Sequence, residues 1–485
     1  MSKYKPTIGL EIHAELKTRT KMFCDCLNDP AEKHPNVNVC AICAGHPGAL
    51  PTINEEAVKS LLRVGIALSG DIPQFSKFDR KNYFYPDLPK GYQISQYDLP
   101  LVFGGVLKGV RLRRVHLEED TGRLIHDYPT SNIEHPSSLV DLNRAGVPLM
   151  ELVTEPDIKN ADEAVEFAKE LQMILRYLGV SDADMEKGQM RVEANLSVSQ
   201  DENFGVKVEV KNINSFKAVR DAIEYEIKRQ IELLESGGDV RQETRGWDDK
   251  KNVTVSQRSK EEAHDYRYFP EPDLPPLDLS KFNWQELKLS IPELPAAKQL
   301  RFSKEFNITP EQASIIVADR VTAEVFEEIV SELKEELASD VVKTDEAVKL
   351  AFNYFTTDFF GLLAQKEIPL EESKIDPENF ADLIVLVANG KINSRTAKDL
   401  LPKMLETGLD PREIVKQEGL EQVSDIGGLE AAAKEMMEQN PAAVADFKKG
   451  KENALQFLVG KTMAKLKGKG NPTILQDIFK KLLKL

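Results

Sequence analysis

The sequence predicts an α+β protein in which an antiparallel-sheet domain is followed by an all-α domain and a helical tail. Three observations carry this expectation. Segments of strict two-residue alternation crowd the first 295 of the 485 residues, among turns and aromatic-proline loops. From about Ala296 the spacing of apolar residues becomes helical and helix-start signals recur. Finally, the charge changes sign along the chain. With 80 acidic and 64 basic side chains the whole carries −16, yet ten lysines against three acids give Asp446 to Leu485 a charge of +7.

The strands come first. In Ile8 to Leu16, Ile8, Leu10, Ile12, Ala14 and Leu16 share one face and leave Glu11, His13 and Glu15 on the other. In Val115 to Asp120, Val115 and Leu117 oppose His116, Glu118 and Asp120. In Met190 to Val198 the apolar set opposes Arg191, Glu193, Asn195 and Ser197. In Val206 to Val210 the valines oppose Lys207 and Glu209, with Lys211 next in phase. One reading makes these the solvated faces of an antiparallel sheet. The other follows from the repeated mixture of carboxylates with His, Asn, Arg and Lys: a shared concave face gathers oxygen ligands for Mg²⁺ beside cations for phosphate. That set suits phosphoryl transfer, where positioning and electrostatics do most of the catalysis.

The helices follow. Thr309-Pro310-Glu311-Gln312 offers an N-cap, a proline at the first helical position and a glutamine at the third. Asp376-Pro377-Glu378 and Asp410-Pro411-Arg412-Glu413 are further helix starts. Boundaries are expected at Pro292 to Pro295 and at Gly408 to Pro411, giving a sheet domain over 1–295, a helical domain over 296–410 and a tail over 411–485.

Composition narrows the class. A hydrophobic fraction of 41% with 27 glycines and 26 prolines is that of a folded globular protein. Met1 to Leu16 shows no basic region leading into an apolar run, and the longest uninterrupted apolar stretch is Leu383 to Ala388, so neither secretion nor membrane insertion is expected. A cytoplasmic setting follows, in which thiols stay reduced. The four cysteines fall as Cys24-x-Cys26 and Cys40-x-x-Cys43, two close pairs thirteen residues apart. They read as a closed four-thiolate site for structural Zn²⁺, which leaves no open position for catalysis. Gly460-Lys461-Thr462 is no phosphate loop, because Leu455 stands where the first glycine of that pattern belongs.

Three loops are dense in special residues. Lys77 to Asp87 and Asp265 to Asp273 interleave aromatics with cations and prolines, so Tyr83 and its neighbours can stack on a base or ribose, or else pack as a rigid loop. In Leu139 to Glu151, Asn143 and Arg144 can bind a phosphate or carboxylate on a turn fixed by Gly146 and Pro148; a purely structural turn is the alternative.

At these residues the sequence resembles the B subunit of the aspartyl/glutamyl-tRNA amidotransferase. The likeness rests on Ile8-Gly9-Leu10-Glu11-Ile12-His13, on Phe78-Asp79-Arg80-Lys81-Asn82-Tyr83-Phe84-Tyr85-Pro86-Asp87, on Asp141-Leu142-Asn143-Arg144-Ala145-Gly146-Val147-Pro148-Leu149 and on Asp265-Tyr266-Arg267-Tyr268-Phe269-Pro270-Glu271-Pro272-Asp273. It continues through Phe457-Leu458-Val459-Gly460 into the tail and so spans essentially the whole chain. The resemblance implies a cradle similar to glutamine synthetase, a helical domain and a tail similar to YqeY proteins that helps hold tRNA. It implies that ATP and Mg²⁺ are used to phosphorylate the side-chain carboxylate of glutamate or aspartate misacylated on tRNA(Gln) or tRNA(Asn). Ammonia then displaces phosphate to give the amide. The implied partners in a heterotrimer are an amidase, which releases that ammonia from glutamine, and a small third protein. This chain lacks the glycine- and serine-rich amidase signature, as the B subunit should.

Carried over by position, Glu11 and His13 resemble the metal-site pair of the first strand, with Glu193, Glu209 and either Glu118 or Glu119 as further carboxylates. Alternation favours Glu118; the family pattern leans to Glu119. Lys81, Arg144, Arg191 and Lys211 are the implied cations for phosphates, with Tyr83 and Asn143 beside them. Lys461, Lys465, Lys467 and Lys469 are the implied tRNA contacts of the tail. Two other classes fit the same residues less well: an ATP-dependent ligase for a free small carboxylate, and a non-catalytic zinc-containing RNA-binding protein.

Overall fold

A computed structural model describes the chain except residues 1–2, 128–136, 202, 260–265, 339, 422–425, 449–450, 467–471 and 484–485. The chain divides into two compact units, Met1–Pro295 and Ala296–Leu485.

The first unit is built on a nine-stranded sheet. Its main strands are β1 (Lys5–Glu15), β2 (Val110–Glu119), β3 (Pro148–Thr154), β4 (Met190–Ser199), β5 (Val208–Ile213), β6 (Glu243–Asp248) and β7 (Val253–Ser259). Their order across the sheet is β7-β6-β5-β4-β1-β3-β2, so the first strand lies in the middle. All these neighbours pair antiparallel except β5 and β6, which run parallel because the helix α2 (Phe216–Glu235) crosses between them.

Alternation decides which face each strand buries. Ile8, Leu10, Ile12 and Ala14 of β1 are fully buried, as are Met190, Ala194 and Leu196 of β4 and Met150 and Leu152 of β3. They join one core with Phe167, Leu171 and Leu175 of the helix α1 (Ala161–Tyr177) and with Val219, Ala222 and Ile223 of α2. The opposite face of the sheet is therefore free to be polar. Gly146, at φ +85°, makes the turn into β3 in a conformation that costs a glycine little.

The second unit is helical. Phe302 to Val415 share one apolar core, and Leu429 to Leu483 share another. Local signals start its helices as expected. Thr309 accepts from Gln312 N at 3.2 Å while Gln312 accepts from Thr309 N at 2.9 Å, a reciprocal cap on Pro310–Val317. Asp376 and Asp410 cap the helices that open on Pro377 and Pro411. Among the described residues no helix is long and apolar enough to cross a membrane.

Phe355 anchors the first helical core. It is fully buried, with the rings of Phe326, Phe359, Phe360 and Phe380 at 4.7–5.8 Å. Phe355→Ala should cost about 3–5 kcal/mol and lower the midpoint of the helical unit's unfolding transition. A loss under about 1 kcal/mol in denaturant titration would show that the ring stack is not the anchor.

Candidate active site

The register of the central strands assembles the site. His13 stands opposite Arg191 of β4 on one side and Glu151 of β3 on the other, and Glu151 stands opposite His116 of β2. Glu11 stands opposite Glu193, and Asn195 opposite Glu209. Residues directly opposite in a sheet share a face, so strand pairing alone brings these groups from five segments together.

The distances are short. His13 Nε2 lies 3.4 Å from Glu151 Oε2, 3.6 Å from Glu118 Oε1 and 3.9 Å from Glu11 Oε1. His116 Nε2 lies 3.4 Å from Glu151 and 3.9 Å from Glu118. Lys211 reaches Glu193 at 2.7 Å and Glu209 at 3.5 Å, while Lys81 approaches Glu118 at 4.0 Å. Three sets are close enough to hold a cation: Glu11, His13 and Glu151; His116, Glu118 and Glu151; Glu11, Glu193 and Glu209. Among the described residues, His116 Nδ1 and Asn195 Oδ1 are buried without a hydrogen-bond partner.

The electrostatics show a surplus of negative charge. Burial, then repulsion from Glu151 and Glu193, pushes Glu11 up to about 7. Burial opposes charging of His13, yet its hydrogen bond to Glu151 and the carboxylates of Glu151, Glu118 and Glu193 hold it at about 9. Burial likewise opposes the charge of Lys81 and Lys211, and the surrounding carboxylates overcome it and raise both. A divalent cation that takes oxygen ligands would relieve this crowding, so the donor set fits Mg²⁺.

At the C-terminal end of β1 carboxyls and guanidinium groups come closer to balance. Asp120 is buried and accepts from Arg191 Nη2 at 3.2 Å, and Arg144 Nε lies 3.5 Å away. Its own burial is outweighed by these two guanidinium groups, which hold its carboxyl below the usual range. Arg144 also donates to Thr121 O and Gly122 O.

Several residues sit elsewhere than expected. Glu119 does not join the carboxylate cluster: its neighbour Glu118 faces His13, so Glu119 points away and binds Lys90 at 2.5 Å and Ile94 N at 2.9 Å. Asn143 does not face the cluster either. It is buried and spends its amide on the cysteine loop, accepting from Val37 N and Asn38 N and donating to His34 O. Tyr83 packs edge-on against Tyr266, whose ring lies 5.2 Å from Lys81 Nζ. In the tail Lys461 lies over Phe457 and Lys465 pairs with Glu435; Lys467 and Lys469 lie outside the described residues.

Glu151 joins the cluster without being among the site residues expected from the sequence, and His116, which alternation places on the same polar face as Glu118, joins it without having been expected as a ligand. The signal for Glu151 is the pair Met150 and Leu152 alternating around it, masked by the glycine and proline just before.

The cysteines close into a knuckle. Cys43 Sγ lies 3.4 Å from Cys24, 3.8 Å from Cys26 and 3.8 Å from Cys40. A tetrahedron with metal–sulfur bonds of about 2.3 Å has sulfur–sulfur edges of about 3.8 Å, so the four thiols are spaced to hold a metal.

Similarity to known proteins places this chain, a sheet with carboxylates, histidines and lysines on one face followed by helical cores, in the amidotransferase class. Residues 6–285 match the family model described as "GatB/GatE catalytic domain", and residues 324–483 match the "GatB domain". The chain is 47% identical over 492 residues to the B subunit of the aspartyl/glutamyl-tRNA(Asn/Gln) amidotransferase of Thermotoga petrophila, covering 99% of each chain. It is 44% identical to the proteins of that name from Carboxydothermus hydrogenoformans, over 100% of both chains, and Dehalococcoides mccartyi, over 100% of this chain and 99% of that one. The chain belongs to the family of aspartyl/glutamyl-tRNA(Asn/Gln) amidotransferase B subunits.

The raised Glu11 has a measurable consequence. Its folded value of about 7 lies above its ordinary 4.5, so its stabilising contribution is full below about 4.5 and is lost as pH rises through 7. His13, raised from 6.5 to about 9, acts with the same sign between those values. Because glutamine stays neutral, Glu11→Gln should raise the thermal midpoint of the metal-free chain, relative to the parent, more at pH 8 than at pH 5. Equal shifts at the two pH values would refute this.

Proposed function

We propose that this chain activates and amidates the side-chain carboxylate of glutamate or aspartate misacylated on tRNA(Gln) or tRNA(Asn), using ATP. A carboxylate oxygen attacks the γ-phosphorus, the bond to ADP breaks, and an acyl phosphate forms. Ammonia then attacks the acyl carbon and phosphate leaves, giving the amide. A carboxylate is a poor acyl donor until one oxygen becomes a phosphate leaving group, and the acyl phosphate must be kept from water.

The observation that carries this reading is the single polar face on which Glu11, His13, Glu118, Glu151, Glu193 and Glu209 converge beside Lys81 and Lys211. Bound Mg²⁺ would supply charge neutralisation for the transferring phosphoryl group. The chain's own residues hold and orient: the carboxylates bind the cation, His13 joins them once the cation displaces its proton, and Lys81 and Lys211 meet phosphate oxygens. Arg144 and Arg191, balanced on Asp120, meet a second anionic group. Tyr83 with Tyr266 offers a face to a base or ribose. The ammonia comes from a partner amidase, the A subunit, and a small C subunit completes a heterotrimer. The tail, including Lys461, Lys465, Lys467 and Lys469, holds tRNA through its phosphates. Zn²⁺ occupies the four-cysteine knuckle as a structural ion, which suits a cytoplasmic, thiol-reducing setting.

Two experiments test this. In the reconstituted complex with ATP, Mg²⁺ and glutamyl-tRNA but no ammonia donor, ADP and a tRNA-linked acyl phosphate should appear. Glu11→Gln and Glu118→Gln should each slow that step by about 10²–10³-fold, and Glu119→Gln far less. ATP left untouched with both glutamyl- and aspartyl-tRNA would overturn the proposal. Removing the residues after Leu420, which leaves Ile414 and Val415 in the first helical core, should raise the KM for charged tRNA and flatten its salt dependence while the sheet unit stays folded. An unchanged KM would remove the tail from tRNA binding.

A further inference from the structure

We propose that the four-cysteine knuckle is a positioning device for Arg144, and that Lys21 and Asn143 are the positioning residues through which it acts. The functional half of this inference rests on reading Arg144 as a contact for an anionic substrate group.

Lys21 is wholly buried, an expensive place for an ammonium group. Its Nζ donates to Asn38 O at 2.7 Å, to Leu142 O at 3.2 Å and to Cys43 Sγ at 3.6 Å. Two of these partners are neutral carbonyls, and among the described residues no carboxylate pairs with it. The counter-charge must therefore come from the knuckle. Four thiolates around one divalent ion carry a net −2, and a buried ammonium against one sulfur offsets part of it. Lys21 thus needs the loaded knuckle, and it ties that knuckle to Leu142.

Asn143 makes the second tie. Nearly all of it is buried, and its side chain bonds Val37 N, Asn38 N and His34 O, all within residues 34–38. Asn36 answers from the other side, accepting from Leu142 N at 2.8 Å and donating to Val140 O at 3.1 Å. Beyond this seam comes Arg144, and then Gly146, whose N–H donates to Asp120 O at 2.9 Å. The turn over 140–147 is therefore clamped between the cysteine loop and the Asp120 node. Loading the cysteines orders 38–43, and the seam transmits that order to the guanidinium one residue further on.

Hydrogen exchange on the assembled complex, with zinc bound and after its extraction by a chelator, tests the coupling directly. Zinc loss should speed exchange at 34–43 and at 140–147 together and leave Lys5–Glu15 and Met190–Ser199 protected. Lys21→Met should weaken zinc retention by about 10–100-fold in competition with a colorimetric chelator. Asn143→Ala leaves the cysteines and Lys21 in place. It should keep zinc, yet speed exchange at 140–147 and raise the KM for misacylated tRNA more than it lowers kcat. Faster exchange confined to 34–43 in the zinc-free parent, or unchanged exchange at 140–147 in Asn143→Ala, would overturn the inference and leave the knuckle a local staple. Exchange and zinc retention are read without turnover, so an inactive parent complex would count against the proposed function and not against this coupling.

Discussion

Confining like charges to one face of one sheet is the constraint on which the rest of this structure depends. Two unit charges 4 Å apart repel by about 4 kcal/mol at an effective dielectric of about 20, and Glu11, Glu118, Glu151, Glu193 and Glu209 are held within a few ångströms of one another's partners. What keeps them there is the apolar face behind them. Ile8, Leu10 and Ile12 are locked against two helices, and slipping β1 by one residue would drive Glu11 and His13 into that core. Interleaved His13, Lys81 and Lys211 offset part of the repulsion, and the raised Glu11 reflects what is left over.

Two positions on β1 then differ in kind. Around Glu11 the surplus is acidic and calls for a cation. Around Glu15 two arginines face the buried Asp120 and the carboxyl of Glu15 itself, which burial and Asp120 push up to about 7, so acid and base there come close to balance. Both positions face the same side because their residues are an even number apart along the strand.

How much of this is legible in the sequence depends on the range of the interaction involved. The strand Ile8 to Leu16 declares its two faces in its own alternation, and the helices at Pro310, Pro377 and Pro411 declare their starts through caps that act over three residues. Glu118 is separable from Glu119 by phase, since Val115 and Leu117 set the buried side. Glu151 is not, because Gly146 and Pro148 punctuate the start of a seven-residue strand and make it read as turn. Asn143 misleads for a different reason. A polar amide beside an arginine suits a ligand as well as it suits a staple, and its partners at 34–38 are about a hundred residues away in sequence.

The central place of β1 also bears on how the chain reaches its fold. Its two neighbours in the sheet, Pro148–Thr154 and Met190–Ser199, are made long after it. At a synthesis rate of about 5–20 residues per second, roughly ten to forty seconds pass before both can pair with it. Through that interval Ile8, Leu10 and Ile12 are apolar side chains on a strand still short of its full pairing, the kind of segment that aggregates or engages a chaperone. The first strand of the sheet is thus one that the nascent chain must shield until the helix Phe216–Glu235 is made, because packing of that helix on the apolar face is the step that completes its burial.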